Sequence, residues 1–323
     1  MPSEPPTVED VRAAATAIAP YLGLPTPLLR SPALSERVGA EVWLKLEFVT
    51  PVGVFKIRGA LNFVGRLSPA ERAAGVVTAS TGNHGQSIAY AAHEHGVRAA
   101  VFVPAGANPD KLAAIERLGA EIHAEGDRFD DARRAAERYA DAHGMRFVSS
   151  GDEPALIAGV GTAALEAFEL QDVDAEVVIV PVGGGSGVAG WLTVRDGLGR
   201  ACEIWGVQSA QAPAAYESWR AGRVVARPNL TTAEGLATGE GFELPQQIMH
   251  ASLDRFALVD DDAIDRAVIE LLDCQHLLVE PAGASPLAAA IADRERLAGR
   301  RLILVCSGAN ITRAQLAALL ERA

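Results

Sequence analysis

Glu176-Val177-Val178-Ile179-Val180-Pro181-Val182 runs straight into Gly183-Gly184-Gly185-Ser186-Gly187, and residues 188–198 then read as a helix. A short apolar run rich in β-branched residues and closed by glycines is a buried strand. The same unit of strand, tight turn and helix recurs on both sides of it. Toward the N-terminus the pairs are 146–149 with 154–170, 121–124 with 128–142, 99–103 with 108–118, 76–80 with 86–95, and 41–47 with 56–67. Toward the C-terminus come strands 204–208 and 253–259, helices 261–275 and 284–298, a strand over 302–306 and a last helix. A helix over 7–20, capped by Thr7, opens the chain. This alternation predicts an α/β fold of open, mostly parallel twisted sheets flanked by helices. A length of 323 residues predicts two domains. Segment 209–252 holds Gly and Pro but little periodicity, and pattern alone assigns it no element.

Composition closes off several classes. The net charge of −12 repels phosphate backbones, and no basic cluster speaks for nucleic acid. No apolar run reaches the roughly 18–20 residues of a membrane helix. The acidic, Pro-rich start MPSEPPTVED is unlike a secretory signal, so a cytoplasmic location is expected. Cys202, Cys274 and Cys306 lie far apart, form no CxxC and read as buried small apolar residues, not as a disulfide framework or zinc site. The seven histidines form no HxxxH or HExxH pattern. His93 and His95, in a polar helix end, are expected to be exposed.

Three strand ends carry more than an ordinary turn needs: Ser80-Thr81-Gly82-Asn83-His84-Gly85, residues 183–187, and Ser307-Gly308-Ala309-Asn310. In parallel sheets ligands bind beyond the carboxyl ends of strands, so the three loops should open on one side. Consecutive glycines at 183–187 let backbone amides close around an anion at a helix N-terminus. The dinucleotide pattern fits poorly, because position 208 is Gln where an acid is expected. A P-loop would need Lys in the loop, and there is none. One monophosphate is the better reading, against a tight turn with no ligand.

Of 29 Lys+Arg residues only Lys45, Lys56 and Lys111 are lysine. Arg stays protonated, whereas a desolvated Lys becomes a neutral base or nucleophile. Lys56 sits in the apolar stretch Gly53-Val54-Phe55-Lys56-Ile57 at the head of a helix. A surface lysine is the bland alternative. A reactive lysine, a phosphate loop and polar groups at neighbouring strand ends together suggest pyridoxal 5'-phosphate. Lys56 would bind its aldehyde, Ser307 would meet the ring nitrogen, and Asn83 the ring hydroxyl.

Phe55-Lys56-Ile57-Arg58-Gly59-Ala60, the loop at 80–85, the glycine loop, Glu280-Pro281-Ala282-Gly283-Ala284 and Ser307–Asn310 occur in this order. Together they resemble the tryptophan-synthase-β-like, fold type II pyridoxal-phosphate enzymes, within them the threonine/serine dehydratase and serine racemase branch. Lys111 and the Asp152…Thr162 stretch also resemble residues of that branch. The resemblance implies that Lys56 is the Schiff-base lysine, with Phe55 packed near the ring. Asn83 is implied as the partner of the ring hydroxyl and Ser307 of the ring nitrogen. Gly183, Gly184, Gly185, Ser186 and Gly187 are implied to form the phosphate cup, with Gly235 and Glu280 beside the ring. Ser80, Thr81, Gly82, Asn83 and His84 are implied to hold the substrate carboxylate. It further implies a large cofactor domain of 1–74 and 151–323, a smaller inserted domain of 75–150, and a homodimer.

Departures from the branch carry information. Val54 stands where Ser is usual, and Ser186 where Gly is usual. Thr81 occupies the place of a serine that delivers a proton in racemases, and its methyl group limits rotation. Residues 208–214 lack the acids with which several relatives bind a divalent cation, so no metal is expected. With nothing after Ala323, feedback through a regulatory domain is not expected. The implied activity is α,β-elimination of L-threonine or L-serine to a 2-oxo acid and ammonia. Alternatives are serine racemisation, and dehydration of hydroxyaspartate, phenylserine or a hydroxyectoine-derived substrate. A β-replacing synthase and a non-catalytic nucleotide-binding protein stand further off.

Overall fold

The computed structural model describes residues 4–23, 25–80 and 82–322. Its strands form two sheets. The first has six strands in the order β1 (Leu28–Arg30), β2 (Glu41–Leu46), β10 (Arg301–Cys306), β7 (Val177–Pro181), β8 (Glu203–Ser209) and β9 (Arg255–Val259). Only the β1–β2 pair is antiparallel; every other pair in it is parallel. The second sheet is parallel, in the order β5 (Glu121–Ala124), β4 (Ala99–Val103), β3 (Val76–Ala79) and β6 (Arg146–Phe147). The α/β fold with mostly parallel sheets read from the sequence is the fold observed.

Both sheets are covered on both faces, which is why their inner strands β3, β4, β7 and β10 are largely apolar. Helices Asp261–Gln275 and Pro281–Ala292 pack on one face of the six-stranded sheet. Helices Pro154–Leu165, Ser186–Gly197 and Glu243–Ser252 pack on the other. The four-stranded sheet lies between helices Lys56–Gly65 and Asn83–Glu94 on one side and Phe129–His143 on the other. No helix among the described residues is long and apolar enough to cross a membrane.

The strand order places the site. β10, last in the chain, inserts between β2 and β7. The carboxyl ends of these three neighbours release the turn to Lys56, Ser307 and the glycine loop. This is the switch point at which open parallel sheets bind ligands.

The elements depart from the sequence reading where helices begin or change register. Helices expected from 86 and 188 begin at Asn83 and Ser186, and neither has a side-chain cap. Without a Ser, Thr or Asp cap no start signal is written there. The helix from 154 passes into a π-helical turn over Glu166–Leu170. The helix expected over 284–298 starts at Pro281 and breaks at Asp293. Segment 209–252 holds helices Ala214–Ala221 and Glu243–Ser252 and a 3-10 turn over Glu234–Leu236. His95 is half-buried and packs on Tyr21, ring centroids 4.8 Å apart, so the expectation of exposure holds only for His93. Cys202 and Cys306 are buried and Cys274 is half-buried.

Candidate active site

A cavity of about 800 Å³ opens at the switch point, between the two sheets. Phe55, Lys56, Asn83, Glu280 and Ser307 line it together with the glycine loop. Ser80, Gly82, His84 and Gly235 also face it. Thr81 lies outside the described residues. The described site residues named from the sequence thus share one space.

Lys56 opens its helix directly after Phe55, whose amide donates to the Ser307 carbonyl at 3.0 Å. An isolated bridge joins Val54 to Gly308. These contacts tie the lysine turn to the end of β10. Desolvation in the cavity wall lowers the Lys56 amine from 10.5 to about 8, although Glu280 pulls the other way. No hydrogen bond from its Nζ to a protein acceptor occurs among the described residues, and Nζ lies 5.3 Å from the Phe55 ring centroid. An amine in this state is available as a base or nucleophile near neutral pH.

The back of the same helix is bound rigidly. A Cβ on Gly159 would stand 2.5 Å from the Arg58 carbonyl oxygen, and one on Gly59 2.7 Å from that of Leu156. The two glycines therefore let the Lys56 helix and the Pro154–Leu165 helix touch backbone to backbone. Beside this contact the buried Arg58 guanidinium bonds Glu47 (2.6 and 3.0 Å) and Glu166 (2.7 and 3.0 Å). Lys45 completes the group, donating to Glu166 at 2.7 Å, the Thr26 carbonyl at 2.9 Å and Gln171 at 3.0 Å. The sequence reading treated Lys45 as a question and missed this network, whose four charges are scattered over 121 positions.

The glycine loop is an anion cradle by exclusion. A Cβ on Gly183 would stand 2.3 Å from the Gly235 carbonyl oxygen, and one on Gly184 2.9 Å from the Phe242 ring. Gly185 has φ +93°, a conformation costly for any residue with a Cβ. The first helical bond runs from the Ala189 amide to the Gly185 carbonyl, 2.9 Å. The amides of Gly183 to Gly187 find no protein acceptor among the described residues, and buried amides demand one. A phosphate placed there would supply it and would gain from the helix dipole as well.

Around the remaining edge the polar groups hold one another. Asn83 Nδ2 donates to Glu280 Oε1 at 2.8 Å, and Asn83 Oδ1 accepts from Asn310 Nδ2 at 2.7 Å. Burial raises the Glu280 carboxyl to about 7, against the opposing pull of Asn83 and Lys111. A Cβ on Gly235 would meet Ala282 Cβ at 2.6 Å, which explains the glycine beside Glu280. His84 is buried; desolvation and then the charge of Lys56 lower it to about 3, so its ring is neutral. Its Nε2 has no partner among the described residues. At the mouth Lys111 pairs with Glu234, which also accepts from Gln315 at 2.6 Å. Arg133 pairs with Glu240 at 3.0 Å. Both ion pairs join the four-stranded half to the long loop before the Glu243–Ser252 helix. The sequence flagged Lys111 by its rarity and by the resemblance, and it gave no role to Glu234, Arg133 or Phe242.

A free, weakly basic amine facing a bed of unpaired amides defines a site for a phosphorylated aldehyde. The chain belongs to the pyridoxal-phosphate dependent enzyme family, whose model matches residues 20–308. It is 38% identical to an L-threonine ammonia-lyase of Geobacter sulfurreducens over 92% of this chain and 74% of that one. An L-threo-3-hydroxyaspartate ammonia-lyase of Saccharomyces cerevisiae is 32% identical, over 98% and 97% of the two chains. Among solved structures, maize serine racemase superposes with a TM-score of 0.92 at 27% identity, over 99% of this chain and 98% of that one. The processed form of threonine deaminase isoform 2 from Solanum lycopersicum gives 0.91 at 28%, over 100% and 96%.

Proposed function

We propose that this chain eliminates the β-hydroxyl and the amine of L-threonine or L-serine, giving a 2-oxo acid and ammonia. The observation that carries the reading is Lys56: a scarce primary amine, lowered to about 8 and unpaired, on one cavity with the bare amides of the glycine loop. The residues present fit pyridoxal phosphate, since a Cβ at 183 or 184 would collide behind the cradle and the amides in front have no protein partner. When bound, that cofactor supplies an aldehyde that takes up amines and a ring that disperses negative charge from Cα.

The chain's own residues then have these roles. The amides of Gly183 to Gly187, with the Ser186 hydroxyl, hold the phosphate. Lys56 Nζ would hold the aldehyde, and its free amine would be the base that takes the proton from Cα. Phe55, Gly235 and Glu280 pack beside the ring, and Asn83 meets its hydroxyl. Ser307 meets the ring nitrogen with a neutral hydroxyl. Such a hydroxyl would accept or donate a hydrogen bond there without adding a charge. Ser80, Thr81, Gly82, Asn83 and His84 hold the substrate carboxylate. Thr81 also offers a hydroxyl for racemisation, the alternative that the likeness to maize serine racemase favours.

The reading extends to an inserted smaller domain over 75–150, supported by the separate four-stranded sheet of β3 to β6. It also extends to a homodimer working in the cytoplasm. Threonine-dependent release of ammonia and 2-oxobutanoate, with chiral analysis of the remaining amino acid, tests the reaction. Release that survives Lys56→Ala overturns it.

A further inference from the structure

A second chamber of about 390 Å³ adjoins the cavity, and the two share Ala79, Phe129, Arg133, Ser150, Glu240 and Phe242. Its wall is mixed: Ala79, Phe129, Phe147, Val148, Val224 and Phe242 supply an apolar part, and polar and charged side chains supply the rest. We propose that this chamber is the subsite for the substrate's β-substituent, and that it admits β-hydroxy amino acids whose β-carbon bears a group as large as a phenyl ring. The proposal rests on the elimination reading above.

Placement comes first. Six residues line both spaces, so the chamber opens off the same cavity that Lys56 and the loop assigned to the substrate carboxylate line. Size comes second. An apolar cavity of about 150 Å³ already takes a benzene ring, and this chamber is larger. A methyl group would leave its apolar part bare. Phe129, the first residue of its helix, is 44% exposed, so a large part of its surface is open to a ligand.

The partition between the two spaces is built into the backbone. Phe242 stands against two glycines: a Cβ on Gly151 would lie 2.3 Å from its ring, and one on Gly184 2.9 Å. The Asp152 carboxylate accepts the Leu244 amide at 3.0 Å and fixes the turn that carries Phe242. Charge selects against a second carboxylate on the substrate. Asp152, Glu240 and Glu243 line the chamber against one cation, Arg133, and Arg133 is already paired with Glu137 and Glu240. A neutral, flat group is what such walls accept.

Two measurements on the holoenzyme test this. L-Phenylalanine has no β-leaving group, so its binding by calorimetry can be compared with that of L-alanine whether or not any substrate turns over. Tighter binding of phenylalanine by about tenfold or more is expected; equal or weaker binding overturns the subsite. Val224 lines the chamber but not the main cavity. Val224→Trp should therefore raise KM for threo-phenylserine by about tenfold and leave kcat/KM for threonine within about twofold. An unchanged phenylserine-to-threonine ratio in that variant also overturns the proposal. Absence of ammonia release from every β-hydroxy amino acid, with phenylalanine still preferred in binding, would instead remove the elimination reading and leave the aryl subsite standing.

Discussion

Two lysines of this chain are held in the protein wall, and only one of them is left without a partner among the described residues. Lys45 is fully buried and spends its three donors on Glu166, the Thr26 carbonyl and Gln171. Lys56 has no protein acceptor among the described residues. Desolvation lowers both amines, but at Lys45 the charges of Glu47 and Glu166 oppose it. The contrast shows that removal from water does not by itself make a lysine reactive. The amine must also be left without a partner, on the side of its helix that faces an open space. Arg58, two residues beyond Lys56, turns to the closed side, and its guanidinium is saturated by carboxylates and hydroxyls. The same helix thus presents structure on one face and chemistry on the other.

The largest effect expected from breaking this contrast is on turnover. Lys56→Ala removes the base and the covalent anchor together, and threonine-dependent ammonia release should fall by at least about 10³-fold. Visible absorbance of the bound cofactor should lose its lysine-linked band. Lys45→Ala should spare that band, since its amine does not line the cavity.

On the closed face the effect is on stability. Arg58→Met strands Glu47 and Glu166 with only Lys45 to neutralise them, and loss of one partner from a buried charge network costs about 3–5 kcal/mol. The denaturant midpoint should fall accordingly. A midpoint within error of the parent would mean that water reaches the network and that the Lys56 helix is held by the Gly59–Gly159 contact alone.

These two faces were not equally legible in the sequence. The cavity face was, because each of its parts sits in a contiguous motif: lysine after Phe55, glycines after a β-branched run, Ser307 after β10. Strand spacing then forced the motifs to one side of the sheet. The closed face was not, because Lys45, Glu47, Arg58 and Glu166 meet only through the packing of β2 on two helices. Nothing local marks a glutamate at 166 as the partner of an arginine at 58. The roof of the cavity was hidden for a different reason. Residues 222–242 follow the cavity wall, not a helical or strand period, so Glu234, Glu240 and Phe242 carry no pattern. The early starts at Asn83 and Ser186 were missed because the caps that would announce them are absent, and at 186 the bare amides are the feature that serves the phosphate.

The smallest expected effect is the most diagnostic of how Lys56 is held. Its amine titrates near 8 in the folded chain against an ordinary value of 10.5. Between those values the unfolded chain binds more protons than the folded one, so stability rises with pH across that window. Keeping Lys56 in its wall is therefore a destabilising contribution. It is complete below pH 8, shrinks as pH rises through the window and is gone above 10.5. One pKa unit corresponds to about 1.4 kcal/mol, so the contribution at neutral pH is on the order of 3–4 kcal/mol. Lys56→Met, compared with the parent in cofactor-free form, should be more stable by about that amount at pH 7, and the gap should close by about pH 10. Urea midpoints at several pH values measure it. A gap that stays constant with pH would trace the gain to packing of the methionine, and the amine would then be as well solvated as any surface lysine.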